Sequence, residues 1–163
     1  MQNLISKIQS KFNAEILKTD QNEIWIKIDN QDLLDISIFA KEIGFEFFSS
    51  LAVIDFPEKN TMELIYHIWN EEDKVLLNIK TEIKREKPNI ISLSEIYACC
   101  QIHEREAHEL FGVKFSGNPD LSELFLEDWQ ERPPFLKDFN SRDYVRKNFY
   151  NKNKKNEKGY FNN

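Results

Sequence analysis

The pattern of hydrophobic and polar positions changes its period several times along this 163-residue chain. Apolar residues that recur every three or four positions predict helices over about 2–13 and 33–43. Asp29 or Asn30 is placed to cap the second helix, and Gly44 is placed to end it. Alternating or continuous apolar stretches predict five strands, over residues 14–18, 24–28, 47–56, 62–69 and 75–83.

The strand predicted over 62–69 has apolar side chains on both of its faces. We therefore expect both faces to be covered, or one face to be an interface. The polar link 70–74 joins this strand to the next one as a hairpin. Strands and helices in this order are typical of an α+β domain with a mixed or mostly antiparallel sheet packed by helices.

A third helix is predicted over about 93–111, and its two ends carry recognisable signals. Ser92 with Glu95 three residues later has the spacing of a capping box. Small residues at 98–100 favour a break within the helix. Gly112 suits the left-handed conformation that ends a helix. We therefore expect the core domain to span 1–112 and to end with this helix.

Residues 103–112 concentrate ionisable side chains on this helix. Two pairs are four apart and can meet on the helix surface: Glu104 with His108, and Arg105 with Glu109. Surface ion pairs are common and contribute roughly 0.2–1 kcal/mol each, so a solvated helix is the simplest interpretation. The alternatives are a surface that meets a partner, or a small cytoplasmic enzyme that uses His103, Glu104 and His108 for acid–base chemistry.

A zinc site on the third helix conflicts with the histidine spacing. Zinc-protease helices carry two histidines four apart, whereas His103 and His108 are five apart, so their rings diverge by roughly 140°. The two cysteines, Cys99 and Cys100, are adjacent and too few for an iron–sulfur cluster. No Gly-rich nucleotide loop is present in the sequence. We therefore expect this chain to bind no metal or cofactor.

Residues 113–139 follow no helical or strand period. The Pro pair at 133–134 forbids helix and favours extended chain. The segment is rich in large apolar residues: Leu121, Leu124, Phe125, Leu126 and Trp129. Such a segment either packs on its own domain or lies across another protein, so we interpret it as an extended partner-binding segment.

Charge is distributed unevenly along the chain. Residues 140–163 carry seven basic and two acidic side chains, whereas the whole chain has a net charge of −6. This basic tail, low in complexity over 151–159, is expected either to dock on an acidic neighbour or to be a disordered, solubilising tail. The acidic body argues against nucleic-acid binding.

The sequence contains no apolar run near the roughly 18 residues that would span a bilayer. Its N-terminus also has no signal-peptide pattern. We expect a cytoplasmic protein that reaches a membrane only through partners.

Five blocks of residues stand out by their order and spacing. They are Glu104-Arg105-Glu106, Glu109-Leu110-Phe111-Gly112, Gly117-x-Pro119-Asp120-Leu121, Leu126-Glu127-Asp128-Trp129 and Leu136-Lys137-Asp138-Phe139. Together they resemble the 30-kilodalton subunit family of respiratory complex I, which has related subunits in energy-converting nickel–iron hydrogenases and formate hydrogenlyases. Residues 62–67 also resemble the central strand of the family, so the likeness covers about 45–140.

The resemblance implies a non-catalytic structural and assembly subunit in the peripheral arm of a membrane-associated oxidoreductase, on the cytoplasmic side of the membrane. It would dock on the large subunit, which is the 49-kilodalton-like subunit of complex I or the hydrogenase large subunit, near a cluster-bearing small subunit. Iron–sulfur clusters and a nickel–iron or quinone site would belong to the complex and not to this chain. A binding module for an unrelated regulator, using strand 62–69 and the basic tail, is a further alternative.

The resemblance also implies roles for particular residues. Glu104, Arg105 and Glu106 would orient the third helix and its loop. Leu124, Phe125 and Trp129 would anchor the partner, and Lys137 and Asp138 would fix the extended segment. The other signature residues are Glu109, Phe111, Gly112, Gly117, Pro119 and Asp120.

The chain departs from the family pattern at a few positions. Histidine is common where Asn118 stands, tryptophan where Ile102 stands, and arginine where Leu136 stands. A basic residue is common where Ser122 and Glu123 stand. These departures set the chain apart from a standard NADH-linked subunit. The run Leu124-Phe125-Leu126-Glu127-Asp128-Trp129 resembles more closely the hydrogenase or other non-NADH branches of the family.

Overall fold

The computed structural model of the chain describes residues 2–12 and 14–149. It contains four helices, α1 to α4, in chain order Gln2–Lys11, Leu33–Glu42, Cys100–Phe111 and Ser141–Asn148. Its seven strands, β1 to β7, are Glu15–Asp20, Glu23–Lys27, Phe47–Phe56, Thr61–Asn70, Val75–Lys84, Asn89–Ile91 and Lys114–Ser116. The predicted α+β class is confirmed.

Five strands form one sheet in the order β1-β2-β5-β4-β3. Every neighbouring pair is antiparallel except β2 with β5, which run parallel. The hairpin of β4 and β5 is the longest continuous ladder, from Thr61 opposite Lys84 to Asn70 opposite Val75. Strands β6 and β7 form a separate parallel pair. The mixed, mostly antiparallel sheet matches the prediction.

Helices α1 to α3 pack on one face of the sheet, where Tyr66 of β4 is fully buried. The Tyr97 hydroxyl lies 2.9 Å from the Phe45 carbonyl and 3.3 Å from the Ser37 carbonyl of α2. Tyr97 therefore connects the turn before α3 to α2 and to the residues that follow it. The helices cover only this face of β4, whereas the sequence predicted that both faces would be covered or that one would be an interface. On the other face Glu63 and Ile65 are buried, and His67 and Trp69 are half-buried.

Two helix starts differ from the prediction. A single turn of 3-10 helix, Asn30–Asp32, precedes α2, so neither Asp29 nor Asn30 caps it with a side chain. Helix α3 begins at Cys100, because residues 93–99 form turns in which the Leu93 carbonyl accepts the Tyr97 amide. The predicted capping box is therefore wrong.

The end of the described chain contains two elements that were not predicted. Strand β7 lies within 113–139 and pairs with β6. Helix α4 lies within the basic tail, and Asn140 caps it by accepting the Asp143 amide. The low-complexity stretch 151–159 lies outside the described residues. Within the described residues, no helix is long and apolar enough to span a bilayer.

Candidate functional site

Glu104 lies fully buried in α3, and its carboxylate accepts four hydrogen bonds. One oxygen accepts the Leu93 amide at 2.7 Å and the Cys100 thiol at 3.3 Å. The other oxygen accepts the Ser92 hydroxyl at 2.6 Å and the Asn118 side-chain amide at 2.7 Å. Glu104 therefore ties the turn before α3 and the loop after β7 to the helix between them.

The histidines of α3 do not converge on Glu104. The His103 ring packs on Phe48, with 5.5 Å between centroids. The His108 Nδ1 atom lies 2.8 Å from the Val113 carbonyl oxygen. His103, Glu104 and His108 therefore share no pocket, which argues against the acid–base enzyme. Burial raises the pKa of the Cys100 thiol, and the nearby Glu104 carboxylate raises it further, which suits a thiol that stays protonated and donates.

Arg105 holds the loop that follows β7 rather than pairing with Glu109. Its guanidinium forms an ion pair with Asp120 at 3.2 Å. It also donates to the Ser122 carbonyl at 2.7 Å and to the Glu123 carbonyl. Hydrogen bonds from Ser122 lower the pKa of Asp120, so this carboxylate stays charged opposite Arg105.

The turn that leads into this loop contains two further signature residues, Gly117 and Pro119. Gly117 has φ +99°, a left-handed conformation that favours glycine, directly after β7. The turn brings Asn118 to Glu104, and Pro119 next to it is exposed.

Glu109 binds a run of three backbone amides in the extended segment. Its carboxylate accepts the amides of Leu124 at 2.7 Å, Phe125 at 2.9 Å and Leu126 at 3.1 Å. Burial opposes ionisation, but these amides outweigh it, and the pKa of Glu109 lies below its ordinary value. The clasped turn leaves the Phe125 side chain 63% exposed and Leu124 half-buried. Glu106, by contrast, is exposed, and the described residues give it no contact that would orient the helix or its loop.

The Pro-rich part of the segment passes the end of α3. Gly112 has φ +80° and closes the helix as predicted. A Cβ on Gly112 would lie 3.0 Å from the Pro133 ring, so the close approach also favours glycine. The Phe135 amide donates to the Leu110 carbonyl at 3.0 Å, and the Phe135 ring stands edge-on to Phe111.

Four side chains of alternating charge connect the segment to the sheet: Asp55, Arg85, Asp138 and Arg132. Asp55 is buried at the end of β3 and takes two hydrogen bonds from Arg85, at 2.6 and 3.0 Å. Arg85 also donates to Asp138 at 2.7 Å, and Arg132 binds the same Asp138 carboxylate. Asp55 further accepts the Lys137 amide at 2.9 Å, while the Lys137 side chain is exposed. Burial opposes the ionisation of Asp55, but Arg85 and the Lys137 amide bring its pKa below the ordinary value.

Trp129 packs within the segment. Its ring contacts Tyr144 of α4 at 4.6 Å and Phe139 at 5.7 Å between centroids. Its indole N–H donates to the Arg132 carbonyl at 3.0 Å. Trp129 therefore attaches α4 to the extended segment.

Asp138 makes one attachment of the segment sensitive to acid. Hydrogen bonds from Arg85 and Arg132 lower its pKa from 3.8 to about 2. Because the folded pKa is the lower one, the stabilisation is complete above about pH 4 and is lost as the pH falls towards about 2. We expect the difference in urea midpoint between the native chain and Asp138→Asn to shrink across this window. A difference that is constant from pH 5 to about pH 2 would contradict the assignment.

Sequence reasoning missed several residues of this network. Asp55, Arg85, Ser92 and Arg132 were not among the predicted site residues. One signal was available for Asp55, a charged residue inside the apolar stretch of β3. Arg85 gave none, because it stands in a run of charged loop residues.

Comparison with known proteins decides the family. The family model described as the respiratory-chain NADH dehydrogenase 30 Kd subunit matches residues 26–145. The chain belongs to this family. The resemblance carried by the five sequence blocks is therefore confirmed.

Relatives within the 30 Kd subunit family come from bacteria and archaea. In Moorella thermoacetica, the matching subunit of NADH-quinone oxidoreductase is 30% identical over 140 residues, which is 85% of this chain and 95% of that protein. In Methanosarcina mazei, the matching subunit of F(420)H(2) dehydrogenase is 28% identical over 129 residues, covering 77% of this chain and 82% of that one.

Solved structures share the fold. A chain of the membrane-bound sulfane sulfur reductase (MBS), an archaeal respiratory membrane complex, superposes with a TM-score of 0.83 and 26% identity, covering 94% of this chain and 93% of that one. The trypsin-resistant fragment (1-134) of Nqo5 superposes with a TM-score of 0.63 over 74% of this chain and 98% of the fragment. At 20% identity this second likeness concerns the fold alone.

Proposed function

We propose that this protein is a non-catalytic structural and assembly subunit in the peripheral arm of a membrane-associated oxidoreductase of the complex I type. Its relatives are subunits of NADH-quinone oxidoreductase and of F(420)H(2) dehydrogenase. An NADH-linked complex and an energy-converting hydrogenase are both compatible with this role. In either case the chain supports electron transfer by holding other subunits in place.

One observation carries the proposal beyond family membership. The extended segment is fixed to the domain by Glu109, Arg105 and Asp55, yet it presents large apolar side chains to the outside. Phe125 is 63% exposed although its own amide is clasped by Glu109. A rigid backbone that displays an aromatic side chain suits an interface anchor, since little conformational entropy is lost on binding.

The partner that the segment crosses is, in this proposal, the large subunit of the complex. A cluster-bearing small subunit lies next to it, and the clusters and any nickel–iron or quinone site belong to these neighbours. The chain itself holds no cofactor in this proposal. It resides on the cytoplasmic side of the membrane through the complex.

Replacing Phe125 by Asp should release the partner subunits. An interface anchor contributes about 2 kcal/mol or more, so we expect roughly 30-fold weaker association. The measurement is affinity purification of the tagged chain from native host membranes, with mass spectrometry of the subunits recovered per tagged chain. The native chain also identifies the branch, because a large subunit with cysteine ligands for nickel belongs to a hydrogenase.

Phe47→Asp is the matched control, because Phe47 is 56% exposed but lies on β3, outside the extended segment. Equal recovery of partners by the two variants would contradict the role of Phe125. Recovery of the native chain alone would contradict the subunit function itself.

A further inference from the structure

The C-terminal part of the chain differs sharply in charge from the rest. Residues 1–131 carry 13 basic and 25 acidic side chains, whereas residues 132–163 carry nine basic and three acidic ones. Among the described residues, 132–149 already hold five basic side chains against two acidic ones. The chain is therefore an acidic body joined to a basic end.

Helix α4 organises part of this basic end into a defined surface. Its start is fixed by Asn140, which accepts the Asp143 amide and donates to the Asp143 carboxylate. Tyr144 and Val145 are half-buried, and the Tyr144 ring packs on Trp129. One face of the helix therefore points at the extended segment.

Arg142 and Arg146 lie four apart on the outward face of α4, and Phe149 follows the last turn of the helix, with its ring centroid 6.0 Å from that of Tyr144. Residues at this spacing lie along one side of a helix. All three are exposed, and Phe149 is 71% exposed. We call Arg142, Arg146 and Phe149 the α4 stripe. Arg146 lies 3.6 Å from Asp143 of the same helix, and this single carboxylate does not balance the charges of both arginines.

We propose that the α4 stripe docks on an acidic surface of the same subunit that the extended segment crosses, with Phe149 filling an apolar site beside that acidic surface. This inference rests on the proposed function and specifies the chemistry of the partner. Two arginines ending in an aromatic residue have the composition of an interface, where Arg and Phe are enriched and Lys is depleted. Arginine also binds carboxylates through two parallel hydrogen bonds, which fixes orientation.

The attachment of α4 to the extended segment indicates which protein would contact the α4 stripe. Trp129 contacts Tyr144 of α4 and donates to the Arg132 carbonyl of the segment, so α4 is attached to the segment. A protein that contacts Phe125 along the segment would reach α4 next. The acidic body would repel an acidic partner, whereas the basic end would attract it. The charge asymmetry would therefore set the orientation in which the subunits meet.

The experiment uses the full-length tagged chain captured with its complex from native membranes. The Arg142→Gln/Arg146→Gln variant removes two charges, and glutamine keeps the helix propensity of arginine. The captured complex is washed with rising sodium chloride, and the salt concentration that releases half of the partner subunits is measured. We expect this concentration to fall roughly threefold in the double variant, because exposed charge pairs are screened by salt.

Lys84→Gln/Lys87→Gln is the matched control, since it removes the same two charges from exposed positions at the end of β5 and beyond it. Equal salt resistance of the two double variants would overturn the inference while leaving the proposed function intact. Failure of the native chain to recover any subunit would overturn both.

A second assay separates a protein partner from a membrane. The purified native chain is mixed with vesicles of phosphatidylcholine containing phosphatidylserine, and with vesicles of phosphatidylcholine alone. We expect equal and weak binding to both. Preferential binding to the anionic vesicles that disappears in the arginine double variant would overturn the protein partner in favour of a lipid surface.

Discussion

Replacing Glu104 by Ala is expected to lower the free energy of unfolding by about 3–5 kcal/mol, the largest effect we predict for a single side chain. The carboxylate is fully buried and accepts hydrogen bonds from Leu93, Cys100, Ser92 and Asn118. Alanine would leave these donors in a dry site, and an unsatisfied buried group costs roughly 1–3 kcal/mol. Urea unfolding of the purified chain, followed by circular dichroism, measures the loss.

The neighbouring Glu106 provides the control for Glu104. It lies on the same helix two residues away and is exposed, so Glu106→Ala should change stability by less than about 0.5 kcal/mol. Glu104→Gln should fall between the two, because its amide keeps one acceptor oxygen but turns an N–H₂ group towards donors. Similar losses for Glu104→Ala and Glu106→Ala would show that the buried network contributes little.

The strands and the C-terminal end of α3 could be predicted because their signals are local. Alternation and the stop at Pro57 define β3 to β5, and a positive φ at Gly112 suits only a few residue types. The start of α3 could not be predicted in this way. Leu93, Ile96 and Tyr97 have helical spacing, yet the Tyr97 hydroxyl reaches carbonyls about fifty to sixty residues away and holds this stretch as a turn.

The roles of the charged residues on α3 were also beyond local reasoning. Spacing of four predicted pairs between Arg105 and Glu109 and between Glu104 and His108. In the structure each of these residues binds a backbone or side-chain group elsewhere in the chain instead, and Glu109 clasps amides 15 to 17 residues later. A backbone amide or carbonyl leaves no mark in a sequence pattern, because every residue other than proline has both. The motif itself could be recognised, whereas its contacts could not be derived.

Asp55 connects the sheet to the extended segment, and its loss should be the second large effect. Asp55→Ala removes both hydrogen bonds from Arg85 and the acceptor for the Lys137 amide. Breaking a buried ion pair costs roughly 3–5 kcal/mol, and we expect about 3 kcal/mol because Arg85 keeps Asp138 and is 16% exposed. Trypsin should also cleave faster after Lys137 and Arg142, since the segment loses its attachment to β3.

Asp138→Ala is the matched control for Asp55→Ala, because both carboxylates bind Arg85 but the Asp138 side chain is 43% exposed. Solvent screens an exposed pair, so Asp138→Ala should destabilise the chain much less than Asp55→Ala. The Asp55→Leu/Arg85→Met double variant should be more stable than Asp55→Ala, because it leaves no guanidinium without its buried partner. If instead Asp55→Ala and Asp138→Ala were equally stable, the segment would be held by the hydrogen bonds to Glu109 and the packing at Gly112. The charged side chains around Arg85 would then serve only to orient the segment.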